Sequence, residues 1–245
     1  MRMTVFAKRN AKEILRDPLT LFFGAAFPVI LLVLLWMIGR NIPDGMGPST
    51  FRIGLLAPGI ALFGLTFITL FSAMLVSKDR SDSLMLRLMT SPMTASDFVL
   101  GYTLPLLPIA IIQIFIVFIA SIPLGLRLTT SVLISVTTLI PAAVLFIGIG
   151  LLFGTILSEK QVGGICGALM TNLCAWLSGI WFDISLLGDA FGSVARALPF
   201  YHAVEACRAA LNGGAVWGHL AIVLAYAVGI LAVAAWCFTR QMKQR

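Results

Sequence analysis

Charge is scarce in this chain: 11% of its 245 residues are Asp, Glu, Lys or Arg, against 60% that are hydrophobic. A mean hydropathy of +1.02 excludes a water-soluble globule, whose interior would be too small for that much apolar surface. Histidine is limited to His202 and His219, and cysteine to Cys166, Cys174, Cys207 and Cys237. The cysteines lack any C-x-x-C spacing, so they read as small apolar packing residues, not metal ligands. There is no H-E-x-x-H, no G-x-S-x-G and no paired aspartate inside an apolar run, which leaves hydrolytic chemistry without a motif. A G-x-x-x-x-G-K-[ST] loop is also missing, so the chain cannot cradle ATP by itself. No basic-aromatic patch suited to nucleic acid is present either.

What is present is a series of apolar runs. A helix needs about 20 apolar residues to cross about 30 Å of hydrocarbon, and six stretches qualify: 19–38, 53–76, 98–126, 132–157, 162–182 and 219–238. None alternates over about ten residues as β-barrel strands do. The predicted class is an all-α polytopic membrane protein with six transmembrane helices, forming one transmembrane domain over 1–245. Between the span ends no Asp, Glu, Lys or Arg lies at depth; the polar side chains there are Gln113, Asn172 and scattered Ser and Thr. Ion-coupled carriers place ionisable groups near the midplane. A self-powered carrier is therefore disfavoured, although sodium held by helix ends stays open as an alternative.

Punctuation marks the span ends. Asp17-Pro18 offers an N-cap followed by a proline whose missing N–H costs nothing in a first turn, and Thr94 with Asp97 reads as a capping box. Pro105, Pro108 and Pro123 predict kinks or a break near the ends of the third span. With the N-terminus inside, twelve of the 17 Lys and Arg fall in cytoplasmic pieces and only Arg40, Arg52, Arg127, Arg196 and Arg208 fall outside. The positive-inside rule then puts both termini in the cytoplasm of a cell membrane. The net charge of +7 is on this reading a topology signal.

Residues 1–17 are basic and periodic. Met3, Phe6, Ala7, Ala11 and Ile14 share a helical face while Arg2, Arg9, Lys12, Glu13 and Arg16 lie on others, the pattern of an interfacial helix. Between the second and third spans, 77–97 is the main polar interruption. After Lys78, Asp79 and Arg80, the run 83–89 sets Leu84, Met85 and Leu88 on one side of a short helix and Arg87 on another, and Ser91-Pro92 ends it. So many Leu and Met residues facing water make this a docking knob for another protein. Between 183 and 216, Ile184, Leu187, Phe191, Val194 and Leu198 recur at helical spacing, as do Phe200, Val204, Cys207 and Leu211 after Pro199, with Tyr201, Glu205, Arg208 and Asn212 opposite. Two short outer amphipathic helices are predicted, and Glu205 and Arg208, three apart, are placed to pair. Two G-x-x-x-G motifs, Gly150/Gly154 and Gly163/Gly167, permit close helix contact, more often within a chain than between chains.

In span order, and in the basic start before Asp17-Pro18, the lead Asp79-Arg80 into 84–92, and the stretch 198–208 before the last span, the chain resembles the type-2 permeases of ABC exporters, which move drugs, antibiotics or polysaccharides. The resemblance implies that Arg2, Phe6, Arg9 and Arg16 belong to an elbow helix. It implies that Asp79, Arg80, Leu84, Met85, Arg87, Leu88 and Pro92 belong to the coupling-helix region seated on a separate ATPase subunit. The outer helices, with Pro199, Phe200, His202, Glu205 and Arg208, would close the exit, and Thr66, Thr69, Asn172 and Trp176 would line a cargo route. The implied assembly holds two ATPase copies, which bind the ATP and Mg, and a second permease, identical or related; this chain itself needs no cofactor. Its 17 phenylalanines favour an apolar or amphipathic cargo such as a drug, antibiotic or lipid over a sugar polymer. A non-transporting membrane scaffold or toxin-immunity protein, and a polysaccharide permease of the same family, stand as alternatives.

Overall fold

The structure, a computed structural model, describes residues 2–42, 49–81 and 94–243. Among them there is no strand; the elements are α1 (Arg2–Arg16), α2 (Pro18–Leu21), α3 (Phe27–Asn41), α4 (Ile53–Ser81), α5 (Ala95–Ser121), α6 (Thr130–Thr138), α7 (Ile140–Ile156), α8 (Glu159–Val162), α9 (Thr171–Leu177), α10 (Gly188–Ala197), α11 (Pro199–Asn212) and α12 (Trp217–Lys243). Five helical runs are long and apolar enough to cross a membrane: Pro18–Asn41, Ile53–Ser81, Ala95–Ser121, Thr130–Ile156 and Trp217–Gln241. Their outward faces carry Met37, Ile112, Ile119, Leu133, Val228 and Trp236, all exposed. Such a girdle is stable only against hydrocarbon.

Local chemistry explains where these helices start, bulge and stop. Asp17 accepts from Leu19 N at 3.2 Å and Thr20 Oγ1 at 2.5 Å, capping the first span as expected. A π-helical turn, Phe22–Ala26, precedes Pro28; proline cannot donate to the carbonyl four residues back, and widening the turn absorbs the mismatch. Thr94 and Asp97 form the expected reciprocal capping box. Pro105 and Pro108 lie within a helix that continues through them, and only Pro123, in the turn after Ser121, coincides with its end. The fourth span is interrupted at Leu139, just before Pro141 at the start of α7.

Two boundaries differ from expectation. The second span does not stop at residue 76 but runs as α4 to Ser81, because Asp79 is buried there against other helices and Arg80 reaches the carbonyls of Thr155 and Leu157 while Lys78 and Ser81 face out. The stretch 162–182 is not one regular span: α8, a π-helix (Gly163–Met170) and α9 run from 159 to 177, and Gly179, with φ of +70°, turns the chain away.

The centre of the molecule is α4. In its most apolar stretch 89% of the residues are buried, against 17% in α12, so α4 is the pillar and α12 the lipid-facing edge. It packs on α7, which also carries α12 on its other side. The contact with α7 is close because Gly150 and Gly154 face it: a Cβ at Gly150 would sit 2.5 Å from Thr69 O, and one at Gly154 2.6 Å from Ala73 O. Thr69 Oγ1 donates to Phe146 O at 2.8 Å and Ser72 Oγ to Ile147 O at 3.2 Å, stitching the pair. This G-x-x-x-G serves packing within the chain. Around Gly163 and Gly164 a Cβ would meet nothing within 4 Å.

Candidate functional site

At one end of the bundle, the one expected to face the cytoplasm, α1 lies across α5. Phe6, Asn10 and Ile14 form its buried face. Phe6 meets the edge of the Tyr102 ring at 4.9 Å between centroids, over Gly101, where a Cβ would come within 2.4 Å of the Phe6 ring. Asn10 Nδ2 donates to Gly101 O at 3.1 Å. The expected apolar stripe of α1 is therefore real in Phe6 and Ile14, and periodicity alone passed over Asn10, whose polarity is absorbed by one carbonyl.

Asp79 is fully buried. Its Oδ2 accepts from Arg9 Nη1 at 2.6 Å and from Tyr102 Oη at 2.8 Å, while among the described residues Oδ1 has no partner. Arg9 also pairs with Glu13 at 2.8 Å, and Glu13 with Lys78 Nζ at 2.7 Å. One network thus links α1, α4 and α5. Burial works against the Arg9 charge, but the hydrogen bond and charge of Asp79 outweigh it and hold the guanidinium pKa above its ordinary value. Next along α4, Arg80 donates to the carbonyls of Thr155 and Leu157, a cation on the C-terminal carbonyls of α7. Gln241 Nε2, from α12, reaches the same Thr155 O at 2.7 Å.

Asp79 and Arg80 are therefore not part of a free loop. They anchor the inner end of α4 immediately before the segment 82–93, and the Thr94 cap anchors α5 immediately after it. Leu84, Met85, Arg87, Leu88 and Pro92 lie outside the described residues. Arg2 begins α1 and Arg16 ends it, exposed.

The opposite end carries a second polar cluster. Pro199 starts α11 and Phe200 is buried 5.7 Å from the Phe146 ring. Arg208 donates to Leu55 O, to Gly179 O at 3.0 Å and to Glu205 Oε1 at 2.9 Å, so the expected Glu205–Arg208 pair forms and extends to the start of α4. Burial and then the Glu205 carboxylate hold the Tyr201 hydroxyl pKa above its ordinary value. In α10 the buried residues are Gly192 and Ala195; of the predicted stripe, Ile184 is buried, Phe191 half-buried, Leu198 packed against the core and Val194 exposed.

His202 Nδ1 and His219 Nδ1 are 2.8 Å apart, and His202 Nε2 is 2.8 Å from Arg196 O. The carbonyl requires a proton on Nε2, and the two Nδ1 atoms require one proton between them, so the pair holds at most one positive charge. A second proton sets N–H against N–H.

The four pathway residues are not brought together as one surface. Thr66 and Thr69 are fully buried, with Thr66 Oγ1 donating to Phe63 O at 2.6 Å. Asn172 is exposed and bonds its own helix at Ala168 O, and Trp176 is 51% exposed.

Among known proteins, the family model for ABC-2 type transporters matches residues 2–212. No curated protein matches the sequence.

Proposed function

The chain belongs to the ABC-2 type transporter family, and from that premise we propose that it is the membrane subunit of an exporter driven by ATP hydrolysed on a separate subunit, carrying an apolar or amphipathic cargo out of the cytoplasm. It is a multi-pass membrane protein and a transport permease. The observation that supports energy coupling most is the pair of anchored stems, α4 through Asp79 and Arg80 and α5 through Thr94, on either side of a Leu- and Met-rich segment. In this reading 82–93 holds the coupling helix, α1 is the elbow helix at the cytoplasmic surface, and both termini are cytoplasmic. The run 159–177, at most about 28 Å long, makes the sixth crossing of the single permease domain.

Two ATPase subunits, binding ATP and Mg, close against two permeases, identical or related, and shift them between inward- and outward-facing populations. The open face at Gly163 and Gly164, with Asn172 and Trp176 beside it, is turned toward the second permease and the cargo route. Thr66 and Thr69 line that route only after α4 rotates. The outer helices α10 and α11, with Pro199, Phe200, His202, Glu205 and Arg208, form the exit gate.

Reconstituted with its ATPase, the permease should stimulate hydrolysis, and Leu88→Asp should weaken that complex at least about tenfold, because a carboxylate placed in an apolar cleft goes unpaired. Co-purification and ATPase assays check this. Cargo movement driven by a sodium gradient without nucleotide would overturn the reading.

A further inference from the structure

The groove between α1 and the inner half of α4 has walls of opposite character. One wall carries Lys8, Lys12 and Arg16, spaced by four and so stacked along one side of the helix. All three are exposed and none makes an ion pair among the described residues. The other wall is Phe71, Met74 and Leu75, and the whole forms an open groove of about 1070 Å³. Three carboxylates line its edge: Glu13 is held by Arg9 and Lys78, Asp17 is occupied in capping α2, and Glu159, on α8, accepts from Ser81 Oγ at 3.5 Å. Cationic charge is therefore left over along one wall while the wall facing it is apolar.

The same side of α1 and the following turn also exposes Val5, Leu15 and Leu19, at 71%, 58% and 64%. Long cationic side chains interleaved with exposed apolar ones suit a helix lying where headgroups meet acyl chains. From Phe71 to Leu75 the apolar wall extends about 6 Å along α4, enough to accept the upper part of an acyl chain below a phosphate. Neither a nucleic acid nor a free phosphate would use that wall.

We propose that this groove is a binding site for one anionic phospholipid, its phosphodiester held by Lys8, Lys12 and Arg16 and an acyl chain laid against Phe71, Met74 and Leu75. The site rests on α1 lying at the membrane surface and not on the coupling to ATP, so the two readings fail separately: lipid retention is measured without nucleotide.

The test uses the full-length protein in nanodiscs that mix phosphatidylglycerol and phosphatidylcholine, with bound lipid counted by native mass spectrometry after release. Phosphatidylglycerol should be retained about 30-fold over phosphatidylcholine, the scale expected for two or three basic side chains near an anionic surface. The K8Q/K12Q/R16Q variant should bring that ratio close to one, whereas charge-conserving K8R/K12R/R16K and the remote pair R40Q/R127Q should keep it. On the unmodified protein, raising the salt should lower the ratio steeply. Equal retention of both lipids, a ratio unmoved by the triple variant or by salt, or displacement of the lipid by millimolar inorganic phosphate alone would each overturn the proposal.

Discussion

Asp79→Ala should destabilise the inner end of the bundle by about 3 kcal/mol, the scale for breaking a buried ion pair, softened because Arg9 is 39% exposed and keeps Glu13. The carboxylate is shared by Arg9 and the fully buried Tyr102. Removing it strands a phenolic hydroxyl in an apolar setting and releases the main polar tie between α1 and α4. Asp79→Asn should cost less, since the amide oxygen still accepts from Tyr102 while the charge on Arg9 goes unanswered. Thermal unfolding in detergent, followed by monodispersity, should rank the proteins wild type, Asp79→Asn, Asp79→Ala. Limited proteolysis should release α1 first in the alanine variant, because Phe6, Asn10, Ile14 and the half-exposed Glu13–Lys78 pair then hold it. An Asp79→Ala protein as stable as wild type would mean that the buried pair contributes only specificity.

Gly150→Leu should be at least as damaging. A Cβ at this position already falls 2.5 Å from Thr69 O and 2.5 Å from Ser72 Cβ, both on α4, and a backbone carbonyl has no rotamer by which to withdraw. The helices must separate. Overpacking of this kind costs about 1–3 kcal/mol, and separation also breaks the hydrogen bonds from Thr69 and Ser72 to α7 carbonyls, each adding about 1 kcal/mol. The expected total is about 3–5 kcal/mol, enough to abolish recovery of folded protein. Gly163→Leu, in a motif of the same spelling, should shift the unfolding of the single chain by less than about 0.5 kcal/mol, since its Cβ would enter open space. Unfolding of the two variants side by side, by denaturant titration in micelles, separates a seam inside the chain from a small-residue surface.

The contrast between those two motifs shows how far the residues alone could lead. Gly150/Gly154 and Gly163/Gly167 have identical spacing, and spacing records which residues share a face, not what opposes that face. Local features were legible: the Asp17 and Thr94 caps and the Glu205–Arg208 pair depend on groups at most three residues apart, where helix geometry fixes the distance. Asp79 was legible only in part. Its place beside Arg80 suggested a polar exit from the membrane, yet it is buried by Arg9, 70 residues earlier, and Tyr102, 23 later. Nothing in the periodicity of α1 marks Arg9 as different from Lys8 or Lys12. Asn10 carries a signal that was available, a lone amide on an otherwise apolar face of α1.

The stretch 162–182 shows the converse failure. Its apolar composition promised a regular span, but Gly163, Gly164 and Gly167 make its first half permissive of the wider π turn. Its helix then ends at Leu177, where Gly179 turns the chain, and Arg208 seals the Gly179 carbonyl from the far side.

By itself, the amino-acid order settled that this protein lives in lipid, that it is helical, where most spans begin, and that it has no nucleotide loop of its own, because hydropathy, capping and motif spacing act over a few neighbouring residues. Which helix is the pillar, which carboxylate is buried, which glycines touch backbone and which cations are left facing an apolar groove were decided only in three dimensions. Those outcomes depend on partners brought together from tens of residues away, and free energy is assigned to a side chain by what surrounds it after the helices have packed.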